Sequence, residues 1–153
     1  MSGQPHMGFL WIAAMMFVAG LGIPVFAALN SSLSSQLGGP IAATAAAFAV
    51  GFAVALVLLA VNGLPSREVL HFERPWIWFG ALFILLYATT VSFAAPRIGV
   101  GNAIFFVLLG QLVAAAAIDH FGWLGAIPSA LTGQRLLGIA VMALGVYLAR
   151  KPL

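Results

Sequence analysis

Gln111 is the first residue whose position suggests chemistry, because it interrupts the apolar run from Gly99 to Gly125, GVGNAIFFVLLGQLVAAAAIDHFGWLG. A glutamine amide in a hydrocarbon environment has no water to pair with, so it needs a partner helix or a wet cavity. Asp119 follows in the second half of the same run, where a carboxylate could lie at the mouth of such a cavity. The pattern predicts a solute path beside Gln111, although a hydrogen bond to a neighbouring helix explains the amide equally well.

Asp119 and His120 are adjacent and are the only groups in this region that could couple protons. Side chains of adjacent residues diverge on a helix, so the two do not form a nucleophile and its base. No spacing of His and Cys typical of a metal site accompanies them, and the chain has no cysteine. We therefore expect no catalytic residues, no metal site, no cofactor and no enzymatic activity.

The composition indicates a membrane protein. Of the 153 residues, 63% are hydrophobic and only 6% are charged, whereas a soluble domain carries about 25% charged residues. The net charge of +3 is spread along the chain, so we expect the lipid bilayer, and not nucleic acid, as a partner.

The apolar runs predict an all-α protein with five transmembrane helices in one domain, residues 1–153. The first helix is expected to end at Leu29 and to be bent or broken at Pro24, with a polar turn after it. The fifth is the shortest and spans only about 22 Å of a hydrocarbon core about 30 Å thick. The predicted helices cover residues 7–29, 40–61, 76–94, 102–118 and 135–149.

Two helix faces carry patterns. In the second helix, small residues recur every fourth position, which lets two helices approach closely and predicts a packing face made by Ala43, Ala47, Gly51 and Ala55. In the third helix, Tyr87 and Thr90 share a face and could contact a solute, although packing against another helix is an equally good explanation.

The basic residues are balanced between the two sides of the membrane. Five spans place Arg67, Arg74 and Arg135 on the side of the N-terminus, and Arg97, Arg150 and Lys151 on the other side. Orientation follows the asymmetry of Lys and Arg in short loops, and here there is none. We expect insertion in both orientations and an antiparallel homodimer, unless a partner subunit fixes a single orientation.

Three stretches of the chain resemble the YdcZ-like branch of the drug/metabolite transporter superfamily: GIPVFAALNSSLSSQLGGPIAATAAAFAVG, PRIGVGNAIFFVLLGQLVAAAAIDHFGWLG and RLLGIAVMALGVYLARK. The resemblance implies a multi-pass protein of the bacterial inner membrane. It also implies ten helices around a central cavity, supplied by two five-helix units of opposite orientation.

The same resemblance implies roles for Asn30, Gln111, Asp119 and His120. The family tends to carry a glutamine four residues before Asn30, where this chain has Phe26.

A transporter for a small organic solute, working by alternating access, is the function these observations favour. One alternative is a dual-topology ion channel built around Asn102, Phe105, Phe106 and Gln111. Another is a structural or regulatory subunit without transport of its own.

Overall fold

The computed structural model describes residues 4–66 and 75–149, and side chains from residue 8. Within these ranges the protein is all-helical, as predicted. Residues 67–74, which lie between the second and third predicted helices, and the basic residues Arg150 and Lys151 are outside the described part. The helices are α1 (Gln4–Gln36), α2 (Pro40–Asn62), α3 (Gly80–Ile98), α4 (Val100–Phe121) and α5 (Gly133–Ala149), with 3₁₀ turns over Pro75–Phe79 and Trp123–Gly125.

Four described segments are long and apolar enough to cross a membrane: Gly8–Gln36, Pro40–Asn62, Pro75–Ile98 and Val100–Phe121. Helix α5 is apolar but has 17 residues, a length of about 25 Å. A fifth crossing therefore stays a prediction.

Helix α1 differs most from its prediction, since the expected end at Leu29 is wrong and the helix is not broken at Pro24. A bend at Pro24 stays a prediction. Helix α1 continues as one helix of 33 residues through the serine-rich segment. It ends because Gly38 adopts φ 78° and the Gly39 N–H donates to the Ser34 carbonyl at 2.9 Å, a Schellman-type end that favours glycine. Serine and asparagine favour turns when solvated, but Asn30 and Ser34 are buried here.

The chain divides into two compact units, Met1–Arg97 and Ile98–Leu153; a single transmembrane domain over residues 1–153 stays a prediction. In the first unit the fully buried apolar residues are small: Ala27, Ala43, Ala88, Val91 and Ala95. They lie in the second half of α1, the first turns of α2 and the second half of α3. These helices therefore pack closely at one end of the unit, through small side chains as is typical of membrane helices.

Candidate functional site

Asn30 lies at the centre of a buried polar cluster in the first unit, which we call the Asn30 cluster (Asn30, Thr44 and Ser92). The exposed fractions of these three residues are 2%, 0% and 1%. Asn30 Nδ2 donates to Ser92 Oγ at 2.6 Å and to Thr44 Oγ1 at 3.3 Å. One amide therefore connects α1, α2 and α3.

The hydrogen bonds also fix which way the Asn30 amide points. Ser92 Oγ donates its only proton to the Ala88 carbonyl at 2.7 Å, so towards Asn30 it acts as an acceptor. The amide nitrogen must face Ser92. Asn30 Oδ1 is then the remaining atom; it is buried and no described donor lies within hydrogen-bond distance.

An aromatic contact lies one helical turn from the Asn30 cluster. Phe26 precedes Asn30 by four residues on α1, and its ring stacks on that of Tyr87 with centroids 6.2 Å apart. The Tyr87 hydroxyl oxygen is buried, and among the described residues it has no hydrogen-bond partner. Phe26, which stands where the resembling family tends to carry glutamine, thus supplies a ring rather than a polar group.

The other predicted path residues are Thr90 in the first unit and Gln111 and Asn102 in the second. Thr90 and Gln111 are exposed in the isolated chain. Asn102 is buried and lies in the second unit, beside a cavity of about 340 Å³ lined by Phe105, Ala149 and the first turn of α4. Their roles in a solute path stay predictions.

Thr44 and Ser92 were missed by the sequence reasoning. Thr44 follows Ala43 in an alanine-rich segment, and Ser92 is two residues from Thr90. The only signal in the sequence was that both are polar residues inside apolar helices.

The predicted packing face of α2 is in contact at one end only. Ala43 is buried and Ala47 is partly buried, but Gly51 and Ala55 are exposed. A Cβ atom on Gly51 would meet no described atom within 4 Å. Among the described residues the close approach is therefore limited to the first turns of α2.

The Asp119 side chain contacts the first turn of α5, and the His120 side chain contacts the segment that leads into it. Asp119 Oδ2 pairs with Arg135 Nη2 at 2.5 Å, and the two side chains are 35% and 31% exposed. His120 Nδ1 accepts the Leu131 N–H at 3.1 Å, so in the neutral ring the proton is on Nε2. Among the described residues no three His, Asp or Glu side chains form a metal-binding group.

Backbone contacts hold the same connection against α4. The Ser129 N–H donates to the Asp119 carbonyl at 2.8 Å, and Thr132 Oγ1 accepts the Arg135 N–H at 3.2 Å, which caps α5. Gly122 ends α4 in the left-handed conformation, with φ 62° and ψ 29°. A Cβ on Gly122 would lie 3.0 Å from Pro128 Cγ.

Gly122→Ala is expected to destabilise the protein by about 1–2 kcal/mol, because alanine is strained in the left-handed region and Pro128 would have to move. Thermal unfolding in detergent should show a midpoint lower by several degrees. The control is Gly138→Ala in α5, where a Cβ meets nothing within 4 Å and alanine is the better helix former. Equal midpoints for Gly122→Ala and the wild type would contradict the importance of this contact.

A family model described as "Putative inner membrane exporter, YdcZ" matches residues 11–148. No curated protein and no solved structure matches the chain. The match covers most of the chain, including three of the long apolar segments and nearly all of the first. The exporter description points to a transporter rather than an enzyme. The chain belongs to the YdcZ family and is a multi-pass protein of the inner membrane.

Proposed function

We propose that this protein exports a small organic solute across the inner membrane by alternating access, as a homodimer of oppositely inserted copies. The observation that carries the proposal is the Asn30 cluster. Burying a polar atom without a hydrogen bond costs on the order of 1–3 kcal/mol, and in lipid no water compensates. An unpaired Asn30 Oδ1 is understandable if a solute donates to it during transport.

The distribution of buried residues supports alternating access. Residues 8–23 of α1, 49–62 of α2 and 75–86 of α3 are exposed, whereas the Asn30 cluster closes the other end of the same helices. A transporter needs an element with two discrete arrangements. The hydrogen bonds of Asn30 can break and re-form without unfolding any helix, so they suit such an element.

The antiparallel homodimer is supported by Gln111 and by the charge balance. An exposed amide in the middle of an apolar helix would face hydrocarbon in a lone chain, which is unfavourable. A second copy packed on α4 would give Gln111 a polar partner or a wet cavity. Equal numbers of basic residues on the two sides would allow that copy to insert the other way.

The export proposal is tested by comparing cells that express the protein with cells that carry an empty vector. Untargeted mass spectrometry of the medium and of the cell contents should find at least one small compound that rises outside and falls inside. Unchanged amounts of all compounds, together with a new ion conductance, would indicate a channel. Unchanged compounds together with co-purification of another membrane protein would indicate a subunit.

Asp119 and His120 are the groups we propose for proton coupling. Protonation of Asp119 would remove the charge that attracts Arg135. A second proton on His120, at Nδ1, would replace an acceptor by a donor and break the bond to the Leu131 N–H. The two protons would thus weaken the contacts that α4 makes with the first turn of α5 and with the segment leading into it.

Asp119→Asn is expected to abolish coupling: in vesicles loaded with the exported compound, a pH gradient should no longer accelerate flux. Arg135→Lys is the control, because it keeps both the carboxylate and a cation that faces it, and it should retain the acceleration. Loss of acceleration in both variants would indicate a purely structural ion pair. Retention in both would exclude Asp119 as the coupling group.

A further inference from the structure

Two buried polar atoms of the first unit have no described partner: Asn30 Oδ1 and the Tyr87 hydroxyl oxygen. The contacts Phe26 with Tyr87 and Asn30 with Ser92 follow one another along α1 and α3. Four residues separate the two positions on α1 and five separate those on α3, a rise of about 6–8 Å. The unpaired atoms therefore belong to adjacent turns of two facing helices, within the span of one small molecule.

Asn30 Oδ1 and the Tyr87 hydroxyl require complementary hydrogen-bonding groups on a ligand. An amide oxygen is only an acceptor, so Asn30 Oδ1 needs an N–H or O–H donor, whereas the Tyr87 hydroxyl can donate to an acceptor. The stacked rings of Phe26 and Tyr87 offer an apolar surface for a planar group. A molecule with a donor, an acceptor and a planar apolar body satisfies all of these.

The charged residues of the first unit narrow the class of solute further. Residues 8–66 and 75–97 contain no Asp or Glu, and Arg97 is their only Lys or Arg. The Arg97 guanidinium lies over the Phe93 ring, 3.5 Å from its centroid, and donates to the Phe93 carbonyl. No described carboxylate of the first unit could neutralise a cation here, and a full charge at membrane depth is costly without such a partner.

We propose that Asn30 Oδ1 and the Tyr87 hydroxyl form the recognition site for an uncharged, planar solute that carries an N–H donor next to a carbonyl acceptor. This assignment rests on the proposed export function and specifies its substrate class. A primary amide on an aromatic ring has the required groups: its N–H donates to Asn30 Oδ1, its carbonyl accepts from Tyr87, and its ring packs against Phe26.

The test measures binding of four probes with the same ring to the purified protein in detergent, by isothermal titration. The probes are benzamide, N,N-dimethylbenzamide, benzylammonium and benzoate. Benzamide is expected to bind at least about tenfold more tightly than the dimethyl analogue, which has no N–H to offer the buried oxygen. The two charged probes should bind more weakly than benzamide.

Tyr87→Phe separates a binding role from a structural one. It removes an unpartnered hydroxyl and keeps the ring, so the thermal midpoint should stay equal or rise, while benzamide affinity should fall at least about fivefold. The control is Tyr147→Phe, at the other tyrosine of the chain, which is 60% exposed on α5 and should leave affinity unchanged.

Four results would overturn the assignment: equal binding of benzamide and its dimethyl analogue, tighter binding of either charged probe, unchanged affinity in Tyr87→Phe, or no binding of any probe. The comparison of exported compounds distinguishes failure of the substrate class from failure of the export function. Export of a charged compound would leave the export function standing and refute the substrate class. Absence of any exported compound would refute the function itself.

Discussion

A variant with Arg150→Gln and Lys151→Gln is expected to insert in one orientation and to lose export when expressed alone. It leaves three basic residues on the side of the N-terminus and one on the other side, and a bias of this size orients short-loop proteins. The opposite variant, Arg67→Gln with Arg74→Gln, leaves one basic residue on the side of the N-terminus and three on the other side. It should insert in the opposite orientation. All four positions lie outside the described residues, so no contact described above is removed.

Co-expression of the two variants should restore export, because each supplies the orientation that the other lacks. Orientation is measured with reporters on the C-terminus, one active only outside the cytoplasm and one fluorescent only inside. The wild type should give both signals and each variant only one. The control is the exchange of Arg150 for Lys, which keeps the charge and should keep the mixed signal.

Two outcomes would contradict the antiparallel homodimer. A single-sided wild-type signal would show that features other than the balance of Lys and Arg fix the orientation. Full export by either variant alone would show that copies of one orientation are sufficient. The first outcome would direct attention to a partner subunit of opposite orientation, and the second to a parallel assembly or a monomer.

The positions of the helices could be predicted from the sequence because hydrophobicity over some twenty residues is a strong signal. Helix α4 was predicted over 102–118 and is observed over Val100–Phe121. The ends were less predictable. The serine-rich end of α1 is typical of a turn in water, but burial of Asn30 and Ser34 and the glycine-rich end at Gly38 extend the helix to Gln36.

The contact face of α3 was harder to predict than its position. Tyr87 and Thr90 share a face by helical spacing, but the buried residues are Ala88, Val91, Ser92 and Ala95. In an apolar helix both faces look alike, so the neighbouring helices decide which face is buried. Ser92 became recognisable as a partner of Asn30 only when α1 and α3 were placed side by side.

The ion pair between Asp119 and Arg135 is a second contact that could not be predicted from the sequence. An aspartate and an arginine can form an ion pair, but these two residues are 16 positions apart in the sequence, which is beyond the spacing of neighbours on one helix. The pair forms because α4 ends at Gly122 and Thr132 caps the start of α5, which places Arg135 in the first turn of that helix. The sequence indicated titratable groups at the end of α4 but not the cation that faces one of them.

Asn30→Leu is expected to reduce export at least about tenfold while the protein stays folded. Leucine has the same number of side-chain heavy atoms as asparagine, so it fits the same space. Thr44 Oγ1 loses the hydrogen bond that Asn30 donates to it. Ser92 still donates to the Ala88 carbonyl. Interhelical hydrogen bonds in membranes contribute only about 0.6 kcal/mol on average, so the thermal midpoint should fall by a few degrees at most.

The matched control is Asn62→Leu at the end of α2, where the exposed Asn62 amide donates to the Leu58 carbonyl of its own helix, at 2.8 Å. It should export at the wild-type rate, measured as the rise of the exported compound per amount of protein in the membrane. Equal export by Asn30→Leu and Asn62→Leu would show that the Asn30 cluster serves packing alone. A fall in export that follows only a fall in membrane protein would also indicate a packing role, whereas lost export at normal abundance and thermal midpoint requires the amide itself in the transport cycle.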